Sequence, residues 1–97
     1  MIAVLIPCRD EETTVADVVV GFSSALPSAT VYVYDNGSTD STGQRAVEAG
    51  AVVRTETTPG KGSVVRRMFA DINADIYVLV DGDSTYDAAK APLMVSR

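Results

Sequence analysis

The 97 residues suffice for one small domain and not for two, and a hydrophobic content of 46% favours a packed core over disorder. The net charge of -5, with a pI near 4.4, leaves no basic stripe for a phosphate backbone and excludes a nucleic-acid partner. The absence of histidine removes Ser-His-Asp chemistry, imidazole bases and most zinc sites, and no apolar run approaches the roughly 18 residues of a membrane span.

Residues 2–6 form a short apolar run ahead of Pro7 and are predicted as a buried strand that the proline stops. Residues 13–25 carry Val15, Val18, Val19 and Phe22 at helical spacing, with Asp10 or Thr13 as N-cap and Pro27 just beyond the end. The β-branched and aromatic run 30–34 is a second strand. Asp35-Asn36-Gly37-Ser38 reads as a turn, and a second helix over 39–49 is closed by Gly50. A third strand covers 51–54, followed by a loop over 57–62. A third helix over 63–72 has Val64, Val65, Met68, Phe69 and Ile72 on one face. Residues 76–80 are an uninterrupted apolar strand, and a fourth helix spans 87–94. Strands and helices alternating in this way predict an α/β fold. It is a Rossmann-like parallel sheet of about four strands with helices on both faces, in one domain over residues 1–97. No fifth strand is expected.

Ligands of open α/β sheets bind beyond the carboxyl ends of the strands, and four polar clusters of this chain fall there. Asp81-Gly82-Asp83 follows the fourth strand; glycine lets two carboxylates turn the same way, and a hard cation such as Mg²⁺ or Mn²⁺ removes their repulsion. A solvated acidic turn is the competing reading. Asp35 offers a carboxylate to a base N–H, against a plain turn in which Ser38 and Asp40 cap the second helix. Asp10, Glu11 and Glu12 suit a helix dipole, and a carboxylate among them suits ribose hydroxyls or a base edge. Cys8 has no base at hand and reads as a small buried hydrophobe, consistent with a reducing compartment. Pro59-Gly60-Lys61-Gly62-Ser63 precedes a helix whose N–H groups suit an anion, with Arg66 or Arg67 adding charge; it is not a Walker A loop, since Gly62 stands where Ser or Thr would follow the lysine.

Together these loops resemble the donor-binding half of an inverting family 2 glycosyltransferase with the GT-A fold. Pro7-Cys8-Arg9-Asp10-Glu11-Glu12 is similar to the family's Pro-x-x-Asn-Glu-Glu segment. Asp35-Asn36-Gly37-Ser38-Thr39-Asp40 is similar to its Asp-Asp-Gly-Ser-x-Asp, Gly60-Lys61-Gly62 to its glycine-rich loop, and Asp81-Gly82-Asp83 to its D-x-D. Thr85-Tyr86-Asp87 is similar to the polyprenyl-phosphate sugar transferase branch. The resemblance implies a UDP- or GDP-linked nucleotide sugar as ligand. Pro7 and Glu11 would line the base and ribose pocket and Asp35 would bind the base. Arg9, Lys61 and Gly82 would lie near the nucleotide, Asp81 would face ribose or metal, and Asp83 would bind the metal. Asp10 and Asn36 depart from the family's Asn and second Asp. The acceptor-binding half and any catalytic base fall outside the expected domain, so the chain reads as a fragment with little transfer activity. The parent protein would work in the cytoplasm, at the membrane face if the acceptor is a polyprenyl phosphate. Rival readings are a haloacid-dehalogenase-like phosphatase with Asp81 as nucleophile, a receiver module, and an assembly fragment that dimerises through an exposed sheet face.

Overall fold

A computed structural model describes residues 1–58, 60–80 and 95–96, the last two by backbone only. In chain order the elements are β1 (Ile2–Cys8), α1 (Val15–Ala25), β2 (Thr30–Asp35), α2 (Thr42–Glu48), β3 (Val52–Thr55), α3 (Lys61–Asp71), β4 (Ile76–Leu79) and β5 (Val95–Ser96). The sheet order is β3-β2-β1-β4-β5. The first four strands are parallel, and β5 pairs antiparallel with β4 through Tyr77↔Ser96 and Val78↔Val95. This two-residue edge strand corrects the expectation that no fifth strand exists. The fourth helix predicted over 87–94 lies outside the described residues.

Alternation along the strands divides the core between the two faces of the sheet. Val4, Ile6, Val31, Val33 and Val78 pack beneath Val15, Val18, Val19 and Phe22 of α1 and Ala46 of α2. Ala3, Leu5 and Tyr34 pack on the other face beneath Val64, Met68 and Ile72 of α3. The helices therefore cover both faces as predicted, α1 and α2 on one and α3 on the other. Connections step from β1 outward to β3, then return across the sheet to place β4 on the far side of β1. The direction of winding thus reverses between β1 and β4. In doubly wound sheets that reversal opens a crevice at the carboxyl ends of the two strands.

Several boundaries differ from the sequence reading, each for a local reason. Pro7 does not stop β1, which runs on to Cys8 with Pro7 opposite Tyr34 and Cys8 opposite Asp35. Leu5 O accepts the Val80 N–H on the β4 side, while Cys8 O accepts the Asn36 N–H on the β2 side. By that parity the missing donor of Pro7 falls on the β4 side, and β4 has already ended at Leu79, opposite Leu5. The proline therefore removes a bond only at the very end of the β4 ladder and leaves the β2 ladder whole. Helix α1 begins at Val15 with Thr14 as N-cap, rather than after Asp10 or Thr13, and the turn before it is closed by Thr14 and Val15 N–H groups on Glu11 O at 3.1 and 2.9 Å. The α2 helix ends as predicted at Gly50, which adopts φ +102. Its C-terminus forms a Schellman motif, with Ala51 N–H on Ala46 O and Gly50 N–H on Val47 O, both at 3.0 Å. Helix α3 starts at Lys61, so Gly62 is a helical residue and not part of the loop. Phe69 was expected in the core but is 46% exposed, edge-on to Tyr77 with ring centroids 4.9 Å apart.

Candidate functional site

The strand-end loops after β1 and β2 are joined bond by bond. Asp10 N–H donates to Ser38 Oγ at 2.9 Å, Glu11 N–H to Thr42 Oγ1 at 2.8 Å and Glu12 N–H to Asp40 Oδ2 at 3.3 Å. In return, Thr39 N–H donates to Asp10 Oδ1 at 2.8 Å and Ser41 N–H to Glu12 Oε2 at 3.1 Å. The acids of the first loop therefore serve the start of α2, where Ser41 is the N-cap. They were expected to serve α1, whose first turn carries Asp17 instead. Residues 39–41 are used in this clasp, which explains why α2 starts at Thr42 and not at Thr39. Ser38 Oγ serves Asp10 instead of α2; Asp40, just before the N-cap, accepts Thr42 N–H at 2.9 Å and the Thr42 hydroxyl on the same oxygen. The hydroxyl bond comes first among the causes that hold the Asp40 carboxyl below the usual carboxylate range.

Asp10 sits at φ +53, in the left-handed region that Asp and Asn tolerate better than other side chains. Asn could accept the same Thr39 bonds, so the Asp-for-Asn departure keeps both the backbone and the acceptor. We predict that Asp10→Asn unfolds within about 0.5 kcal/mol of wild type, whereas Asp10→Val, β-branched and without an acceptor, loses about 2 kcal/mol. Urea unfolding of the three proteins checks the order.

The predicted binding residues are distributed as follows. Pro7 is buried within β1, Arg9 is exposed just past its end, and Glu11 is half-buried. Asp35 closes β2 beside Cys8; its Oδ1 accepts Ser38 N–H at 2.9 Å. Gly43 leaves room for this carboxylate, since a Cβ there would lie 3.2 Å from Asp35 Oδ2. Asn36, the second departure from the family pattern, donates through Nδ2 to Glu56 O at 2.8 Å and Thr58 O at 2.9 Å. An aspartate could not make these bonds; here the asparagine ties the β2 turn to the loop after β3. Pro7, Glu11 and Asp35 are thus brought to one edge. The side chain of Lys61 and all of Asp81, Gly82, Asp83 and Thr85-Tyr86-Asp87 lie outside the described residues.

Of the two arginines considered for phosphate binding, Arg67 is committed elsewhere. Its Nε bonds both Asp71 oxygens at 3.0 and 2.9 Å, and Nη1 lies 3.6 Å from Glu56 Oε2. Arg66 reaches Ser63 Oγ at 3.4 Å and lines an open groove of about 340 Å³ with Glu56, Thr58, Ser63, Arg67 and Ala70. Cys8 is 3% exposed within the α1 side of the core, as a small hydrophobe would be.

Thr42 is the residue that sequence reasoning missed. It is wholly buried, as among hydroxyl-bearing side chains of the described residues only Tyr34 also is. The signal was present in Ser38-Thr39-Asp40-Ser41-Thr42, a run with more hydroxyls and carboxylates than one N-cap employs. Among the described residues no group of three or more His, Cys, Asp or Glu side chains could hold a metal. In the sequence Asp81 and Asp83 follow directly after Val80.

The chain is similar to known proteins in sequence and in fold. Residues 3–97 match the family described as Glycosyl transferase family 2. Protein RfbJ of Shigella flexneri is 55% identical over 96 residues, spanning 99% of this chain and 74% of that protein. Glycosyltransferase AglJ of Haloferax volcanii is 39% identical over 95 residues, 97% of this chain and 31% of that one. The crystal structure of glucosyl-3-phosphoglycerate synthase from Mycobacterium tuberculosis with Mn²⁺, UDP-glucose and phosphoglyceric acid superposes with a TM-score of 0.76. It is 32% identical, and the match covers 84% of this chain and 33% of that one. The chain therefore spans most of RfbJ's length but about a third of AglJ and of the synthase.

Proposed function

The chain belongs to glycosyl transferase family 2, and from that premise we propose that its 97 residues bind the nucleotide-diphosphate sugar of a glycosyl transfer. The observation that carries this reading is the reversal of winding between β1 and β4. The segment 7–12 and the triplet Asp81-Gly82-Asp83 follow the two strands that flank it, and Asp35 closes the neighbouring strand. In this reading Pro7, Arg9 and Glu11 line the base and ribose. Asp35 meets the base, and Lys61 and Gly82 approach the nucleotide. Asp83, with Asp81, holds a divalent cation of the Mg²⁺ or Mn²⁺ kind, as the synthase crystallised with Mn²⁺ and UDP-glucose supports. When bound, that ion supplies positive charge to the leaving nucleoside diphosphate. Asp35 and Glu11 meanwhile orient the donor.

The match to the UDP-glucose complex favours uridine over guanosine. A polyprenyl phosphate acceptor rests on Thr85-Tyr86-Asp87 alone, and a parent protein at the cytoplasmic membrane face follows from it. No helix among the described residues is long and apolar enough to cross a membrane. The phosphatase reading required residues 79–85 to open the fold, whereas Leu79 ends the fourth strand.

Calorimetric titration tests the reading. UDP-glucose with Mn²⁺ is expected to bind with a dissociation constant on the order of 0.1–1 mM, and chelation of the metal is expected to abolish most of the heat. No heat with UDP- or GDP-linked sugars would overturn it.

A further inference from the structure

The clasp between the first two loops contains more than helix capping needs. A cap satisfies one or two N–H groups of its own helix. Here Ser38 Oγ, Asp40 Oδ2 and Thr42 Oγ1 accept from three consecutive backbone donors 28–31 residues away in sequence. The central bond is the one with directional chemistry. A threonine hydroxyl has one proton to give and lone pairs to offer. The proton of Thr42 goes to Asp40 Oδ1, which leaves only lone pairs to face the Glu11 N–H at 2.8 Å. Asp40 is itself anchored by Thr42 N–H and Glu12 N–H. Its carboxylate form accepts on both oxygens, so it cannot present a donor that would turn the Thr42 hydroxyl round.

We propose that Asp40 and Thr42 are positioning residues for nucleotide recognition. Asp40 sets the direction of the Thr42 hydroxyl, Thr42 fixes the backbone of Glu11, and Glu11 is thereby presented to the base and ribose. This rests on the assignment of Glu11 to the nucleotide pocket made above. Both residues act through Glu11. Thr42 is wholly buried, which keeps water from taking the place of its hydroxyl.

The experiment uses the whole 97-residue chain and two probes, UDP and inorganic pyrophosphate, each with Mn²⁺, titrated calorimetrically. Thr42→Val keeps the shape of the side chain and removes the hydroxyl. It is expected to weaken UDP binding about tenfold and to leave pyrophosphate binding unchanged, because pyrophosphate has no base or ribose. Thr42→Ser restores the hydroxyl and is expected to bind UDP as wild type does. Asp40→Ala should match Thr42→Val, and the double variant should be no worse than either, as members of one relay are not additive. If Thr42→Val fails to fold by circular dichroism, Asp40→Ala carries the same measurement. The proposal is overturned if the folded variants bind UDP like wild type, or lose UDP and pyrophosphate in equal measure, the mark of a general structural loss. Glu11→Ala separates the two levels. If it leaves UDP affinity intact, the pocket assignment fails; if it weakens UDP binding while Thr42→Val does not, the relay alone fails.

Discussion

Phe22→Ala is expected to lower the free energy of unfolding by about 3–5 kcal/mol, and Phe69→Ala by only about 1 kcal/mol. The two phenylalanines have the same chemistry and occupy apparently equivalent apolar positions on helices of the same length. Phe22 is 1% exposed and fills the space between α1 and the sheet, among Val4, Ile6, Val31 and Val33. Truncation leaves a cavity that neighbouring β-branched side chains, stiff at χ1, close only in part. Phe69 is nearly half exposed, and its main loss is the edge-on contact with Tyr77. A domain of this size has on the order of 5–15 kcal/mol in hand, so Phe22→Ala removes a large share of it. Urea unfolding of both variants at equal ionic strength measures the difference. Equal costs would show that α3 packs more deeply than its exposure indicates.

That contrast shows where sequence patterning was sufficient and where it was not. Apolar periodicity gave α1, β2 and β4 to within a residue or two, because each of them buries a full face. It assigned Phe69 to the same stripe as Val64 and Met68, but α3 covers its side of the sheet without a second helix beside it among the described residues. The outer part of its stripe is therefore open. Pro7 misled for a different reason. Whether a proline ends a strand depends on which side its missing donor faces and whether a partner strand exists there, and both are tertiary facts. The acids at positions 10 and 12 were legible as N-terminal charge and illegible as to which helix they serve. Local sequence favours the helix that follows them, and the register Cys8↔Asp35 overrides it by bringing the second loop alongside.

The site was more legible than its supports. Pro7, Glu11 and Asp35 could be placed at one edge by the rule that strands of a parallel sheet end together, and the observed register does that. The supports depend on pairings between loops about 30 residues apart, for which no periodicity exists. Asn36 illustrates the point. In sequence it is one carboxylate fewer in a turn; in the fold its amide donates to two carbonyls of the loop after β3. The loops after β1, β2 and β3 are therefore tied together by hydrogen bonds.

A second bracing lies under those loops and responds to pH. The Tyr34 side chain is wholly buried against Leu5, Val64 and Met68, and its hydroxyl donates to Asp71 Oδ2 at 2.9 Å. Asp71 also holds Arg67 and lies 3.7 Å from Arg54, while Arg67 reaches Glu56, so the network joins β2, β3 and α3. Burial first, and the Asp71 carboxylate second, push the Tyr34 phenol up to about 12 from 10.0. The folded value is above the unfolded one, so this stabilisation is complete below pH 10 and is lost as the pH rises through 12. The loss expected over that window is on the order of 2–3 kcal/mol. Tyr34→Phe is expected to be about 1 kcal/mol less stable than wild type at neutral pH, for want of the bond to Asp71, and to lack this alkaline slope. The wild-type advantage should therefore vanish between pH 10 and 12. The same hydroxyl is the first cause holding the Asp71 carboxyl below its ordinary range, which works in the opposite direction. That contribution is present above the usual carboxylate pKa and lost as the pH falls through the folded value, so Tyr34→Phe should also unfold at a less acidic pH. Urea unfolding of the two proteins across both flanks, with tyrosinate absorbance followed in parallel, measures each effect. Profiles that run parallel at high pH would mean that the phenol does not titrate late and that the brace draws its strength from packing alone.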